Sequence, residues 1–366
     1  MFEFFPGNRS WSFACIRLLA ESYYGGGEFN DIHRTTQRIK PGDVESWHAE
    51  WLETAERVAA HGREQQAAGH PESAIKAFLR ASNYYRVAEF LLPFTDDRKV
   101  PTYRKSADSF QAAAALSPGI ERVEVPYEDT AMPGYFFHAP ASAGEKPPVL
   151  IFTGGADSTA EEVYFVGGPE AAKRGLALLI VDGPGRGGML RLRNSLAIPD
   201  FERPITAMVD YLEVRGDVDM NRVALMGMSM GGYYVTRAAA YEKRVRCCVS
   251  HFGPYDCYRD IYEYYEPLRG QFRWITGSDS EDEVRRRLSR FTLAGSIEKV
   301  ECPLLILHGE DDIITDPRCA HQTYEEARCE KELRFLRTGE PGAVHCSYDN
   351  HAEIFPFMHD WVAARV

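Results

Sequence analysis

The sequence lacks the features that mark several classes of protein. No apolar run approaches the roughly 18 residues that a membrane span needs. The first residues contain neither a basic segment nor a long apolar segment, so we expect no secretion signal. Positive charge is in deficit, since 42 lysines and arginines face 54 aspartates and glutamates, a net charge of −12. We therefore expect neither nucleic acid nor an anionic membrane as a partner.

Cysteine and histidine are present, but not in the spacing that metal sites or disulfide frameworks require. The eight cysteines contain no CxxC pair, and the eleven histidines contain no HExxH motif. Cys247 and Cys248 stand in an apolar run, where a thiol behaves as a small hydrophobic group. These patterns predict a cytoplasmic protein with reduced thiols and no bound metal.

Composition and length indicate an ordinary folded protein. The chain has 366 residues, of which 44% are hydrophobic and 26% are charged. These fractions are typical of globular proteins and exclude general disorder. The length allows one large domain, or a core domain with a smaller attachment.

The first 118 residues show helical spacing throughout. Asp43 is placed to cap one helix and Gly69 to end it. Pro71 suits the first position of the next helix, and a third is predicted over residues 102–116. A pair of helices is also the unit of helical repeat proteins, but no second copy follows, and such arrays need several. We therefore predict a helical lid domain over residues 1–118.

After residue 119 short apolar runs alternate with helical stretches, which is typical of a doubly wound, mostly parallel sheet. We predict an α/β domain over residues 119–366, with a cap insertion at about 253–296. Eight strands are predicted, the first two as a hairpin: 121–127, 134–138, 149–153, 177–182, 222–226, 245–251, 303–308 and 333–336. The predicted helices of this domain are 160–174, 201–214, 231–241, 317–327 and 352–364.

The motif Gly227-Met-Ser229-Met-Gly231 follows a predicted strand and opens a predicted helix. Small residues two positions before and after the serine permit a sharp strand-to-helix turn that exposes the hydroxyl. The helix amino terminus also favours developing negative charge. This context predicts Ser229 as a nucleophile.

A serine nucleophile needs a base and an acid that orients the base. The predicted strand 303–308 ends in a turn that carries acids, among which Asp312 is the preferred orienting residue. Asp311 is the close alternative and Asp316 a more distant one. An acid after a late strand fits the chain order Ser, Asp, His of hydrolases built on such sheets.

The base is predicted beyond the last strand. His345 lies in a loop that precedes the final predicted helix, which gives the order its third member. His351 and His359 also lie downstream, but we assign them to that helix as a capping and a surface residue. Ser229, Asp312 and His345 are therefore predicted as a catalytic triad.

Attack on a carbonyl also needs N–H donors for the oxyanion. One donor should be the amide of Met230, directly after the nucleophile. The second should come from the glycine-containing loop after strand 149–153. There we prefer the amide of Ala156, with that of Gly155 next.

Residues 183–188 formally match GxGxxG, the fingerprint of dinucleotide-binding sites. The match contains Pro184, lies on a middle strand, and is followed by no clear helix and no acid-ended strand at the right distance. We therefore expect no nicotinamide or flavin cofactor. The loop is expected to pack beside the nucleophile turn, where Asp182 and Arg186 would brace it.

Taken together, these motifs resemble the α/β-hydrolases. Within them the chain is most similar to a branch with a helical amino-terminal lid, which includes the 2,6-dihydroxypseudooxynicotine hydrolases and the fungal polyketide-shortening hydrolases of pigment pathways. FrsA-like esterases are more distantly similar. The resemblance runs from about Asp43 to the end, and its more specific segments are 46–51, 80–86, 154–158, 183–187, 228–232 and 345–346.

The resemblance implies the triad Ser229–Asp312–His345, a helical cap with the active site beneath it, and a homodimer. It also implies a small-molecule substrate and hydrolysis of a carbon–carbon bond next to a ketone, in an aromatic or polyketide-type compound. The alternative is a carboxylesterase or an acyl-peptide-type hydrolase. Lyases and non-catalytic binding proteins on the same fold are more remote alternatives.

Carbon–carbon cleavage would benefit from an auxiliary acid, because the leaving group is a carbanion. Glu263 and Glu266 in the aromatic-rich insertion are the candidates, against the alternative that both are solvated residues. Tyr84, Tyr85 and Trp47 are candidates for an aromatic-friendly substrate pocket. The helical spacing of the tryptophans favours core packing instead.

Overall fold

The computed structural model describes residues 2–140 and 145–366, and these divide into two compact units. The helical unit comprises Met1–Arg122 and Tyr164–Gly167, and the sheet unit comprises Val123–Val163 and Gly168–Val366. Within the described ranges, no helix combines the length and apolar character that crossing a membrane would require.

The helical unit begins with two helices that the sequence did not delimit and continues with the three that it predicted. The side chain of Asp43 accepts a hydrogen bond from the backbone N–H of Ser46, and Pro71 is the first residue of its helix, as expected. In the described part of this unit the helices are α1 Arg9–Glu21, α2 Phe29–Arg38, α3 Val44–Ala67, α4 Pro71–Phe90 and α5 Lys99–Leu116.

Aromatic side chains of α3 and α4 form the core of the helical unit. Trp47, Trp51 and Tyr84 have no solvent-exposed surface, and Tyr85 is 3% exposed. The Trp47 indole N–H donates to the carbonyl of Val87 at 2.8 Å, and the rings of Trp51 and Tyr84 lie 5.7 Å apart. A spacing of four residues puts Trp47 and Trp51 on the same buried face of α3, as the core-packing alternative expected. Burial in this core corrects the assignment of Tyr84 and Tyr85, and with them Trp47, to a substrate pocket.

A buried ion pair joins α1 to α4. One carboxylate oxygen of Glu21 accepts hydrogen bonds from Asn83 Nδ2 at 2.7 Å and from Arg86 Nη2 at 2.8 Å. Arg86 Nε also donates to Asn83 Oδ1 at 2.8 Å. Asn83 and Arg86 belong to the segment 80–86 that carried part of the resemblance. Within the helical unit, this network gives that segment a structural role.

We predict that Arg86→Ala destabilises the protein by about 1.5–3 kcal/mol, because it removes one of the two guanidinium groups that face the buried carboxylate of Glu21, the other being that of Arg17 at 3.4 Å. Denaturant unfolding followed by tryptophan fluorescence measures this loss, since Trp47 and Trp51 lie in the same unit. Arg104→Ala, at an exposed position of α5, is the matched control. Equal stability of the two variants would contradict the prediction.

The described residues of the sheet unit build an eight-stranded sheet with the order β1-β2-β4-β3-β5-β6-β7-β8. β2 pairs antiparallel with β4, and every pair from β4 through β3, β5, β6 and β7 to β8 is parallel. This confirms the predicted α/β class and the mostly parallel sheet. The strands are β1 Ile120–Tyr127, β2 Thr130–Phe137, β3 Val149–Thr153, β4 Ala177–Val181, β5 Val223–Met228, β6 Val245–His251, β7 Leu304–Gly309 and β8 Lys331–Leu336.

The helices that follow these strands differ from the prediction in two places. The predicted helix over 160–174 is interrupted at Gly167, which has a φ of 94°. A short helix follows the glycine-rich turn at residue 187, where no helix was expected, and it buries Met189 and Leu190. The described helices here are α6 Ala160–Tyr164, α7 Gly168–Lys173, α8 Gly187–Arg193, α9 Glu202–Arg215, α10 Met230–Tyr241, α11 Arg269–Thr276, α12 Glu281–Leu288, α13 Arg318–Glu326 and α14 His351–Ala363.

The segment between β6 and β7 has its own small core, as the predicted insertion would require. It contains a π-helical turn at Tyr258–Glu263 and the helices α11 and α12. Phe272 and Ile275 of α11, with Val284 of α12, are fully buried. The insertion is therefore a packed element of the sheet unit rather than an extended loop.

Candidate active site

The turn from β5 into α10 holds Ser229 in a rare backbone conformation. Its φ and ψ are 53° and −130°, a strained combination for a residue with a side chain. Neighbouring glycines make the turn sterically feasible. A Cβ atom at Gly227 would lie 2.1 Å from the carbonyl oxygen of Gly231, and one at Gly231 would lie 2.3 Å from that of Thr153. The GxSxG spacing is thus a packing requirement of this turn.

The structure brings Ser229, His345 and Asp312 together. His345 Nε2 lies 3.2 Å from Ser229 Oγ, and His345 Nδ1 lies 2.8 Å from Asp312 Oδ2. The other carboxylate oxygen of Asp312 accepts the backbone N–H groups of Ile314 and Thr315 at 2.7 and 2.9 Å. One oxygen of Asp312 is therefore fixed by its own turn, while the other faces the imidazole.

The two alternative acids are used elsewhere. Asp311 accepts the backbone N–H of Gly339 at 3.1 Å, and Asp316 binds the guanidinium of Arg318. Of the three candidate aspartates, Asp312 is the one that contacts His345.

Burial and charge oppose each other at this contact. Burial alone would raise the pKa of Asp312, but the facing imidazoles of His345 and His308 hold it well below its ordinary value. Burial alone would lower the pKa of His345, but the Asp312 carboxylate overrides this and raises it to about 10. The pair therefore favours a proton on His345 once Ser229 has released one.

Strained backbone also holds the loop that carries His345. Cys346 and Ser347 have φ values of 53° and 55°. Ser347 Oγ donates to the carbonyl of Gly342 at 3.0 Å and accepts from His251 Nε2 at 3.0 Å. The buried ring of His251 thus anchors the loop, a role that sequence spacing did not reveal.

Two backbone amides remain for an oxyanion. Gly155 N–H donates to Ser158 Oγ at 3.0 Å, which commits it to its own loop. In the chain as described, the amides of Ala156 and Met230 have no hydrogen-bond acceptor. A Cβ atom at Gly155 would approach Ser229 Cβ to 3.2 Å, so this loop lies directly beside Ser229. The geometry favours Ala156 and Met230 over Gly155.

Two long side chains, those of Arg186 and Gln271, bind the loop that follows β3. Arg186 Nη1 donates to the carbonyl of Gly154 at 2.8 Å, and its guanidinium lies 5.0 Å from the ring centroid of Phe201. Gln271 Nε2, from α11 of the insertion, donates to the carbonyl of Ala156 at 3.0 Å. Sequence reasoning anticipated a bracing role for Arg186, but at the nucleophile turn. It missed Gln271, because no pattern links a glutamine in an insertion to a loop 115 residues earlier.

Several predicted side chains lie elsewhere. Glu263 and Glu266 are exposed, and Glu263 lies 3.8 Å from Arg285 of α12. They are solvated residues of the insertion, which corrects the expectation of an auxiliary acid at either position. His359 is fully buried and bonded to the carbonyl of Phe355, so its assignment as a surface residue is wrong. His351 does begin α14, where it is also buried.

Across residues 2–140 and 145–366, no group of three or more histidine, cysteine, aspartate or glutamate side chains is arranged to hold a metal ion.

Two family models match more than half of the chain each. The model of the prolyl oligopeptidase family matches residues 170–365, and that of FrsA-like esterases matches residues 38–259. The chain belongs to the α/β-hydrolases. It is a hydrolase by family, as the resemblance implied.

Two relatives of this α/β-hydrolase are fungal hydrolases that match it over nearly their whole length. Hydrolase LUC6 of a Fusarium species is 32% identical, with 99% of this chain and 97% of that protein covered. The 20-hydroxy-prefusarin hydrolase of Gibberella moniliformis is 30% identical, with 96% and 95% covered.

A solved structure confirms the fold. The 2,6-dihydroxy-pseudo-oxynicotine hydrolase superposes with a TM-score of 0.84 over 95% of each chain, at 24% sequence identity.

We predict that labelling of Ser229 by a fluorophosphonate rises with pH, with a midpoint well above 6.5. His345 accepts the serine proton only when it is neutral, and its raised pKa keeps it protonated to higher pH. Asp312→Asn removes the charge that raises this pKa, so the midpoint should fall while the maximal rate drops by about 10⁴-fold.

Initial labelling rates between pH 5 and 11, corrected for hydrolysis of the probe in buffer, test this. A wild-type midpoint at or below 6.5 would contradict it.

Proposed function

We propose that this α/β-hydrolase is a serine-nucleophile enzyme that cleaves a carbon–carbon bond next to a ketone in an aromatic or polyketide-type substrate. The observation that carries the serine chemistry is the line of contacts from Ser229 through His345 to Asp312, at 3.2 and 2.8 Å. The substrate class rests on the resemblance to pseudooxynicotine and polyketide-shortening hydrolases, and the fungal relatives support it.

In the proposed reaction Ser229 Oγ attacks the substrate carbonyl while His345 Nε2 takes the hydroxyl proton. Asp312 holds the imidazole in orientation and stabilises its positive charge. The amides of Ala156 and Met230 are placed to donate to the oxyanion.

The intermediate then collapses and the carbon–carbon bond breaks, its electron pair passing to the leaving carbon. That carbon takes the proton from His345. Water, deprotonated by His345, releases the acyl group from Ser229 as a carboxylic acid and restores the serine hydroxyl. With Glu263 and Glu266 solvated, the imidazolium of His345 is the proton donor that we assign to the leaving group.

Ester hydrolysis is the second candidate, and the match to FrsA-like esterases favours it. The same three side chains serve both reactions, since an alkoxide and a carbanion both leave with the proton of His345. An alkoxide is much the better leaving group, so an enzyme built for ketones should also cleave activated esters.

The remaining expectations from the resemblance are part of the proposal. We propose that the helical unit serves as a lid, and that the protein acts as a cytoplasmic homodimer on a small-molecule ketone or ester.

We predict that a fluorophosphonate labels wild type at Ser229, that Ser229→Ala abolishes labelling, and that His345→Ala reduces its rate by at least about 10³-fold. Mass mapping of the labelled peptide identifies the site. His359→Ala, which removes another buried histidine, is the matched control and should be labelled. Labelling of wild type at a residue other than Ser229 would overturn the proposed nucleophile.

Turnover of an aryl β-diketone and of an aryl ester of similar size shows which type of bond the enzyme cleaves. Carbon–carbon hydrolysis yields a carboxylic acid and a smaller ketone from the diketone, and both products should disappear in Ser229→Ala. Turnover of the ester with no turnover of any diketone in a panel would overturn the carbon–carbon assignment and favour the esterase.

A further inference from the structure

A second imidazole faces the carboxylate of the triad. His308 is the next-to-last residue of β7, four positions before Asp312, and its side chain is fully buried. Its Nε2 lies 3.1 Å from Asp312 Oδ2, the oxygen that His345 Nδ1 contacts at 2.8 Å. One carboxylate oxygen is therefore shared by two imidazoles.

His308 has little else to bind. Among the described residues neither ring nitrogen of His308 makes a well-aligned hydrogen bond. The contact between Nε2 and Asp312 is therefore short in distance but poorly aligned in angle. Its ring packs against that of Phe252, with centroids 4.7 Å apart. A buried imidazole N–H without an acceptor is costly, and Asp312 is the charged acceptor within reach. This placement favours a hydrogen on Nε2, the ring nitrogen that faces the carboxylate.

The surrounding elements add two further imidazoles and two buried thiols, that of Cys346 beside His345 and that of Cys319 near Asp312. β6 contributes His251 and α14 contributes His351, and both are buried. Burial, together with the imidazoles of His351, His345 and His308, lowers the pKa of His251 well below its ordinary value, so His251 is neutral. From the insertion, the hydroxyl of Tyr264 reaches the backbone carbonyl of Asp312 at 3.4 Å, not its carboxylate.

We propose that His308 is a positioning residue that acts through Asp312: its Nε2–H shares the carboxylate oxygen with His345 and limits how strongly Asp312 retains a proton on the catalytic base. This inference rests on the proposed serine hydrolase function. It adds to the triad a member whose effect is on the proton affinity of the base rather than on bond cleavage.

The sign of the effect follows from the charges. An N–H dipole 3.1 Å from the carboxylate of Asp312 offsets part of its negative charge and places positive potential beside His345. Without that donor Asp312 stabilises protonated His345 more strongly, so the base becomes neutral only at higher pH. In a variant without this donor, we expect the midpoint of the pH profile of labelling to rise by about one pH unit. At a fixed pH below the midpoint, the labelling rate should therefore fall roughly tenfold.

The test compares His308→Phe, which keeps a ring against Phe252 but has no donor, with His308→Gln, which keeps an N–H near the position of Nε2. His308→Leu is a second variant without a donor, in case the phenylalanine variant does not fold. His359→Phe is the matched control, since it also removes a buried histidine, but one that binds the carbonyl of Phe355.

Two readouts are measured on each folded variant: the pH profile of fluorophosphonate labelling, and the titration of His345 by NMR of ¹⁵N-labelled imidazole. The expected result is an upward shift of both in His308→Phe and His308→Leu, with His308→Gln and His359→Phe close to wild type. The proposal is overturned if His345 titrates unchanged in the variants without a donor, or if His308→Gln shifts as they do.

The NMR titration needs no turnover, so the two proposals fail separately. Absence of Ser229 labelling in wild type would count against the proposed function, while the titration of His345 would still decide the role of His308. Normal His345-dependent labelling with an unmoved titration would overturn the role of His308 alone.

Discussion

The site depends on one steric constraint, the left-handed backbone of Ser229 at the end of β5. A φ of 53° is costly for a serine, and the turn is possible because the chain before and after it contains glycine. Backbone atoms occupy the space that side chains at Gly227 and Gly231 would need. The turn leaves the Ser229 hydroxyl 3.2 Å from His345 Nε2, with Met230 directly after it at the start of α10. Rigid packing thus replaces the reorganisation that a flexible serine would require.

The second constraint is the buried charge of Asp312. A carboxylate removed from water is unfavourable unless hydrogen bonds replace its hydration. Two backbone N–H groups of its own turn and the imidazole of His345 do so, which ties the end of β7 to the loop after β8. His308, one residue before the end of β7, lies 3.1 Å from the same carboxylate on the strand side. The orientation of the His345 imidazole therefore depends on residues that the sheet holds in place.

The sequence predicted those parts of the site that depend on local chain geometry. Ser229 was identifiable because a strand, a tight turn and a helix adjoin in sequence, and Asp312 and His345 because they follow the last two strands in order. Residues that act across long separations were not predictable. Gln271 reaches Ala156 from an insertion whose path no periodicity describes. Glu263 was misjudged for a related reason, since an acidic residue in an insertion can be solvated or face a site, and the sequence does not distinguish the two.

The glycine-rich segment after β4 has a packing role of its own. A Cβ atom at Gly187 would lie 1.9 Å from the carboxylate of Asp182, so this glycine makes room for a buried acid. Burial, and then the charge of Glu161, raises the pKa of Asp182 to about 7. Asp182 accepts the amide of Gly188 at the start of α8, and this holds the turn from which Arg186 reaches the carbonyl of Gly154. The loop that carries Ala156 is thus held by Arg186 from the turn after β4 and by Gln271 from the insertion. The two side chains bind the carbonyls on either side of the Gly155–Ala156 peptide, so together they restrict the orientation of the Ala156 N–H.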